Sequence, residues 1–470
     1  MSAPATTEKK YLKWYQKLAY GSGDLASNCS YGLVSSFVLL YLTGTLGLDS
    51  AIIGSLMLAS KVLDGISDVI FGTLIDRTHS KLGKARPWML FGQIGVSLCL
   101  FLLFAIPAGS TTMQYIYFFI VYTALNAVFY TANGIAYSSL VALITKNNNE
   151  RVQLGSFRFM FAVVTNIFMG FAVTGMVEKF GSGVAGWRTT ALIFAIVGLV
   201  VNTISCLAVK ELPEEELSGN TSEAAEEGKA VAEEKKHGFA ETAKILVHNK
   251  YYLMILAIYI VYYIMSNLTT GAGVFCATYY WGDGSLLGQF SMMKMFPVII
   301  ALAIAPVLIK KTGSMQKVNF WGYAISSVLG IPMIYFAMQK NLSMFLLFMF
   351  IKGIFAGTLS GSLNALIAEA SGYTTRTTGV HMDGMMYSCS SLGVKVGGGI
   401  GTAAVGWLLK LGGFVGTATV QSESAIRMIF NLYITFPFVI GIIITVLLAF
   451  LDVEKANKKW DAEHQKEAQA

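Results

Sequence analysis

The sequence predicts an all-α membrane protein of twelve transmembrane helices, arranged as two pseudo-symmetric six-helix halves. Three observations carry this prediction. Charged residues are 13% of the chain and hydrophobic ones 54%, where soluble globular chains carry about 25% charged residues, and the mean hydropathy is +0.59. Apolar stretches of about 20 residues, the length that spans a bilayer, recur roughly twelve times in 470 residues. A single charge-rich stretch, Glu211 to Glu241, divides those segments six and six.

The segments fall near 20–47, 51–75, 87–107, 113–143, 155–178, 187–209, 249–280, 287–309, 318–338, 342–369, 378–410 and 424–451. Gly and Ser are frequent inside them, which suits close helix packing in lipid. This gives an N-terminal half over 1–210, a cytoplasmic linker over 211–247, a C-terminal half over 248–451 and a cytoplasmic tail over 452–470. The linker is rich in Glu, Ala, Lys, Ser and Gly without an apolar run, and reads as part disordered, part surface helix. The charged tail from Asp452 reads as solvated and uninformative. The loops after the second and eighth segments, Asp76 to Trp88 and Lys310 to Lys317, are both short, basic and glycine-containing. Two six-helix halves that echo each other are the signature of the major facilitator architecture.

Orientation follows from the basic residues. One set of loops holds Lys9, Lys10, Lys13, Lys17, Arg77, Lys81, Lys84, Arg86, Lys146, Arg151, Lys310, Lys311, Lys317 and Arg376. The opposite set holds Lys179, Arg188, Lys340, Lys410 and Arg427. Basic loops mark the cytoplasm, so both termini are expected inside, with the protein multi-pass in the cytoplasmic (inner) membrane. The net charge of +7 is spread over these loops and is no nucleic-acid footprint. The first segment is too long for the apolar core of a cleavable signal and reads as its own insertion signal. Cys29, Cys99, Cys206, Cys276 and Cys389 lie in apolar segments without paired or metal-like spacing, and read as small apolar packers.

The charged residues at membrane depth carry the chemistry. The second segment contains Lys61-Val62-Leu63-Asp64-Gly65-Ile66-Ser67-Asp68. Asp64 and Asp68, spaced i, i+4, share a helix face about one turn apart. Ser67 lies on the same side, and Lys61 precedes Asp64 by three. Carboxylates are costly in hydrocarbon, so they face a bundle interior and mark an ion or proton path. The plainer reading, a Lys61–Asp64 pair holding two helices together, leaves Asp68 without a purpose. Asp24 and Asn28 repeat the i, i+4 spacing in the first segment, with a helix-packing hydrogen bond as the competing role. Asn126, Tyr130, Thr131 and Asn133 fall in the fourth, where a hydroxyl such as that of Thr131 serves an ion or bonds its own backbone. Arg158 is placed at the start of the fifth segment, where a snorkelling cytoplasmic charge is the alternative. Lys395 sits in mid-segment among glycines and requires a carboxylate partner, with Asp64, Asp68 and Asp24 as candidates. Enzyme readings fail: His381 and Asp383 have no third ligand or nucleophile motif, and the glycines from Gly397 to Gly401 lie inside a spanning helix, not after a strand.

Four stretches together resemble the glycoside–pentoside–hexuronide:cation symporters, the melibiose permease-like family of the major facilitator superfamily, over nearly the whole chain. They are Lys17 through Asp24, Lys61 through Asp68 with Gly72, Gly83-Lys84-Ala85-Arg86-Pro87-Trp88, and Thr378 through Gly384 with Tyr387-Ser388 and Lys395-Val396-Gly397. The resemblance implies a cation site at Asp64, Ser67, Asp68 and Thr131. Ser67 stands where melibiose permease has Asn, which leaves the ion open. It implies substrate contacts from Asp24, Asn28, Tyr31, Asn133, Arg158 and Lys395, and coupling roles for Lys61, Lys395 and His381. The permease's sugar-binding carboxylates are replaced by Asn28 and Gly134, and relatives often have Arg at position 381 and Asp at position 369. A substrate other than melibiose is implied.

The expected function is therefore secondary transport of a sugar, glycoside or hexuronide coupled to Na⁺ or H⁺ by alternating access. No resident cofactor or metal is expected beyond the transported cation, and the partners are the small-molecule sugar and the lipid bilayer. Two other readings compete. A facilitator or exporter of amphipathic molecules on the same fold has no need of the paired helix-two carboxylates. A membrane sugar sensor signalling through the linker lacks a domain-sized apolar content there.

Overall fold

In a computed structural model, residues 9–213, 245–379, 383–418 and 420–467 are described. The linker assigned to 211–247 lies mostly outside them, as does His381. The chain forms two compact units, Met1–Ser222 with Val415–Val420, and Glu223–Phe414 with Gln421–Ala470.

The first unit holds α1 (Trp14–Thr45), α2 (Ser50–Asp76), α3 (Arg86–Leu103), α4 (Thr111–Ile144), α5 (Asn148–Lys179) and α6 (Gly183–Leu207). The second holds α7 (Lys250–Tyr280), α8 (Leu286–Thr312), α9 (Met315–Met338), α10 (Leu342–Thr378) and α11 (Asp383–Leu411). It ends with α12, running through Glu423–Phe430, Asn431–Thr435 and Phe436–Phe450, and a surface helix α13 (Val453–Glu467). Among the described residues eleven helices are long and apolar enough to cross a membrane. The twelfth, α2, has 27 residues and carries Lys61, Asp64 and Asp68.

Local chemistry starts these helices where the sequence supplies a side-chain acceptor. The side chains of Asp49, Ser110, Asn147, Asn249, Ser314, Asn341 and Ser422 each accept a backbone N–H of the first turn of the helix that follows. The α2 surface then splits by period. Val62, Ile66 and Ile70 are exposed on one face, and Ser60 and Asp64 are buried on the other, the pattern of a helix with one side in lipid.

The two units repeat each other. In the first, α1 packs on α5 and α6, α3 on α4 and α6, and α2 on α4; in the second, the corresponding α7, α9 and α8 make the same pairings with α10, α11 and α12. Glycines with positive φ follow corresponding helices: Gly47 and Gly282, Gly83 and Gly313, Gly181 and Gly413. Corresponding carboxylates also hold corresponding helix starts. Glu211 accepts the backbone N–H groups of Lys84, Ala85 and Arg86 at 2.7–3.1 Å. Glu454 accepts those of Met315 and Gln316 at 2.8 and 3.1 Å, and the Ser314 hydroxyl.

Three expectations change here. The α5 helix begins at Asn148, not near 155, because Asn147 caps it, so Arg158 stands about 15 Å inside the helix. The tail is not uninformative: besides Glu454, its Asn457 donates to the Glu369 carboxylate at 2.8 Å. Lys61 and Asp64 do pair, but both belong to α2, so their contact does not hold two helices together. All five cysteines are free and buried.

Candidate functional site

The first unit brings α2 and α4 together around Asp64, which is 5% exposed. Thr131 donates its hydroxyl to Asp64 Oδ1 at 2.7 Å. The hydroxyl also lies 2.9 Å from the backbone carbonyl of Asn126. That carbonyl belongs to a π-helical turn, Ala124–Tyr130, directly before Thr131. A π turn widens the helix by one residue and shifts the side chains after it, and such turns concentrate at functional sites. Lys61 Nζ stands 3.5 Å from Asp64 Oδ2. Its ammonium also lies over the Tyr31 ring, 5.9 Å from the centroid, and Tyr31 stacks on Tyr130 at 5.6 Å. Ser67 donates its hydroxyl to the Asp64 backbone carbonyl at 2.9 Å, leaving its oxygen lone pairs for another group. Asp68 is half-buried one turn further along α2.

The arrangement is an anionic centre with an internal counter-ion. One carboxylate oxygen is taken by a hydroxyl and the other faces an ammonium, on a helix otherwise lined with lipid-facing aliphatics. A carboxylate here is tolerable only with a cation nearby, and the Lys61 ammonium at 3.5 Å is long for a charge-assisted bond.

A second polar cluster joins α1 to α5. Arg158 Nε donates to Asp24 Oδ2 at 2.6 Å, and the guanidinium lies over the Tyr137 ring at 4.2 Å. Asn28 donates to the Asp24 backbone carbonyl at 2.7 Å and accepts from Asn166 Nδ2 at 2.8 Å. Gly21 lets α1 approach α5 this closely, and Gly23 lets it approach α4 and α6. A Cβ on Gly21 would stand 2.5 Å from Phe157 Cβ, and one on Gly23 2.8 Å from Ser205 and Tyr137. A Cβ on Gly134, by contrast, would meet nothing within 4 Å.

Not every candidate residue reaches these clusters. Asn133 is 2% exposed and donates to the Met89 carbonyl at 2.9 Å and to Gln93 Oε1 at 3.2 Å. It faces α3 and packs helices. Lys395 lies half-buried on α11, beside a glycine seam in which Gly393, Gly397 and Gly401 meet Tyr259, Ile260 and Ile264 of α7.

Two charged residues escaped the sequence reading. Lys294 of α8 and Lys352 of α10 line one cavity in the second unit. The signal was present: each is a lysine inside an apolar segment, the feature that singled out Lys395. Asn166 was missed too, since a lone Asn in a long apolar helix carries no spacing signature.

A family model described as MFS/sugar transport protein matches residues 19–455. The chain is 26% identical over 478 residues to the isoprimeverose transporter of Lactiplantibacillus pentosus, covering 100% of this chain and 96% of that one. It is 24% identical over 449 residues to a putative glycoside/cation symporter, YagG, of Escherichia coli (strain K12), covering 95% and 93%. Among solved structures, a bacterial homologue of the human lysosomal transporter Spinster superposes with a TM-score of 0.65 at 14% identity, covering 95% of this chain and 97% of that one.

Proposed function

The chain belongs to the MFS/sugar transport protein family, and we propose that it accumulates a sugar, glycoside or hexuronide by symport with a cation bound at Asp64. It is a multi-pass membrane transporter rather than an enzyme. The distribution of basic loops supports a place in the cytoplasmic membrane with both termini inside.

The observation that carries the cation site is the 2.7 Å contact from Thr131 to Asp64 beside the π turn of α4. Asp64, Asp68 and the hydroxyl oxygens of Ser67 and Thr131 supply oxygen ligands of the kind that hold hard cations. When the site is empty, Lys61 balances Asp64. An arriving Na⁺ or H⁺ takes over that balance and frees Lys61, whose ammonium then leans on Tyr31. Tyr31 stacks on Tyr130, which precedes Thr131, so the ion site is joined to α1, the helix that carries Asp24 and Asn28. Asp24, Arg158 and Asn28 supply hydrogen-bonding groups to sugar hydroxyls, and Lys395 takes part in coupling from the other half. Ion and sugar then each bind better when the other is present, and this linkage is reciprocal.

The test is uptake into proteoliposomes against a panel of glycosides, pentosides and hexuronides, under separate Na⁺ and H⁺ gradients. Accumulation above equilibrium with one gradient is expected. Equilibration alone under both gradients contradicts symport.

A further inference from the structure

From the second unit we infer an anion-binding site: Lys294 and Lys352 hold the acid group of a sugar-sized substrate. The inference rests on the sugar-transport reading for the size and hydroxyl content of the ligand; its charge comes from the site itself.

Together with Tyr262, Thr269, Ser360 and Tyr433, both lysines line one open cavity. They share one level of the α8–α10 seam. A Cβ on Gly353 would stand 2.8 Å from Pro297 and 3.6 Å from the Met293 carbonyl, so the residues next to Lys352 and Lys294 are in contact. Lys294 lies eight residues into α8 and Lys352 ten into α10, about 12 and 15 Å from the helix starts. Both stand inside their spanning helices by more than the length of a lysine side chain, so neither snorkels out from the helix start.

Among the described residues of the second unit no carboxylate pairs with either lysine, and Lys294 donates to the hydroxyls of Thr269 and Thr270, each at 3.2 Å. Lys352 makes no hydrogen bond or ion pair among the described residues. Among the described residues no Asp or Glu lines the cavity. Between positions 250 and 450 the sequence contains only Asp283, Glu369, Asp383 and Glu423 as acids. Asp283 lies in the α7–α8 loop, Glu369 is bonded by Asn457, Asp383 opens α11, and Glu423 pairs with Arg427. Two ammonium groups at mid-membrane are costly without a counter-charge, and a transported carboxylate supplies one. Tyr262, Tyr433 and Ser360 line the cavity among mostly apolar side chains, and Ser360 pairs with the Tyr262 hydroxyl at 2.8 Å.

The experiment measures binding to the purified full-length protein by calorimetry, with matched neutral and acid ligands: glucose and glucuronate, methyl glucoside and methyl glucuronide, methyl galactoside and methyl galacturonide. Wild type is expected to bind at least one acid member tenfold or more tighter than its neutral partner. Lys294→Gln and Lys352→Gln should each lose tenfold or more for that acid and leave the neutral ligand unchanged, while Lys352→Arg retains most of the acid affinity. Thermal unfolding of each variant separates lost binding from lost folding. Equal or weaker acid binding in all three pairs overturns the inference, as does unchanged preference in folded Gln variants. Uptake is measured separately. Cation-driven accumulation of neutral glycosides alone, with no acid bound, defeats this inference and spares symport. Lysine-dependent acid binding without gradient-driven uptake does the reverse.

Discussion

Thr131 and Asp64 meet at 2.7 Å across two helices, and this contact ties the α4 backbone to the one deeply buried carboxylate of α2. The Thr131 oxygen sits beside the Asn126 carbonyl of the π turn and the Asp64 carboxylate. A cation placed there finds oxygens from both helices. Thr131→Val removes one of them at nearly constant volume. Hydrogen bonds to charged groups are worth about 1.5–3 kcal/mol, so the half-saturating cation concentration for uptake should rise by about tenfold or more. Uptake measured across a cation titration checks this, and an unchanged half-saturation point counts against a cation ligand at Thr131.

Lys61 Nζ lies 3.5 Å from Asp64 Oδ2. Lys61→Met leaves that carboxylate without its ammonium, the situation in which a buried pair is broken on one side. The thermal midpoint without coupling ion should fall, and added Na⁺ or acid should raise it more than in wild type. Thermal unfolding in choline and sodium buffers at two pH values reads this directly. Equal ion effects in both proteins would show that Lys61 and the cation do not share Asp64.

Asp24 and Arg158 couple α1 to α5 through a 2.6 Å contact, with side chains 18% and 25% exposed. Asp24→Asn and Arg158→Gln each strand the other partner, so each should lower stability and uptake. The double variant should be more stable than the sum of the single losses predicts, because neighbouring changes are non-additive, yet should not regain uptake. A double-mutant cycle on thermal stability, with uptake on the same samples, makes the comparison.

Glu211 and Glu454 cap α3 and α9 in the two units. A carboxylate at a helix N-terminus contributes about 0.3–1 kcal/mol, up to about 2 in favourable geometry. Glu211→Gln and Glu454→Gln should each lower the thermal midpoint modestly, and their effects should add. Substrate and cation affinities should not move, which kinetic measurements on the same variants establish.

Much of this was legible in the sequence, for physical reasons. Hydrocarbon thickness fixes segment length, so twelve spans could be counted. The cost of charge in lipid made Asp64, Asp68 and Lys395 conspicuous. The rest depended on rotation about helix axes. Asn133 is two residues from Thr131, but turns to Met89 and Gln93, and the π turn that sets this register has no composition signal. Arg158 looked terminal because polar residues precede it, while the Asn147 cap starts α5 ten residues earlier. Lys294 and Lys352 lie in different segments, 58 residues apart in sequence, and only the α8–α10 packing brings them to one cavity. Glu454 looked solvated because its partners, two backbone N–H groups and the Ser314 hydroxyl, lie far from it in sequence.

The central claim is that the α2 carboxylates bind the coupling cation. Two neighbouring carboxylates do not both ionise cheaply without one. The direct measurement is sugar accumulation in proteoliposomes with Asp64→Asn and Asp68→Asn, beside exchange of labelled sugar across membranes without a gradient. Both single variants are expected to lose accumulation against a gradient while exchange survives. Accumulation by both variants at wild-type levels would contradict the account.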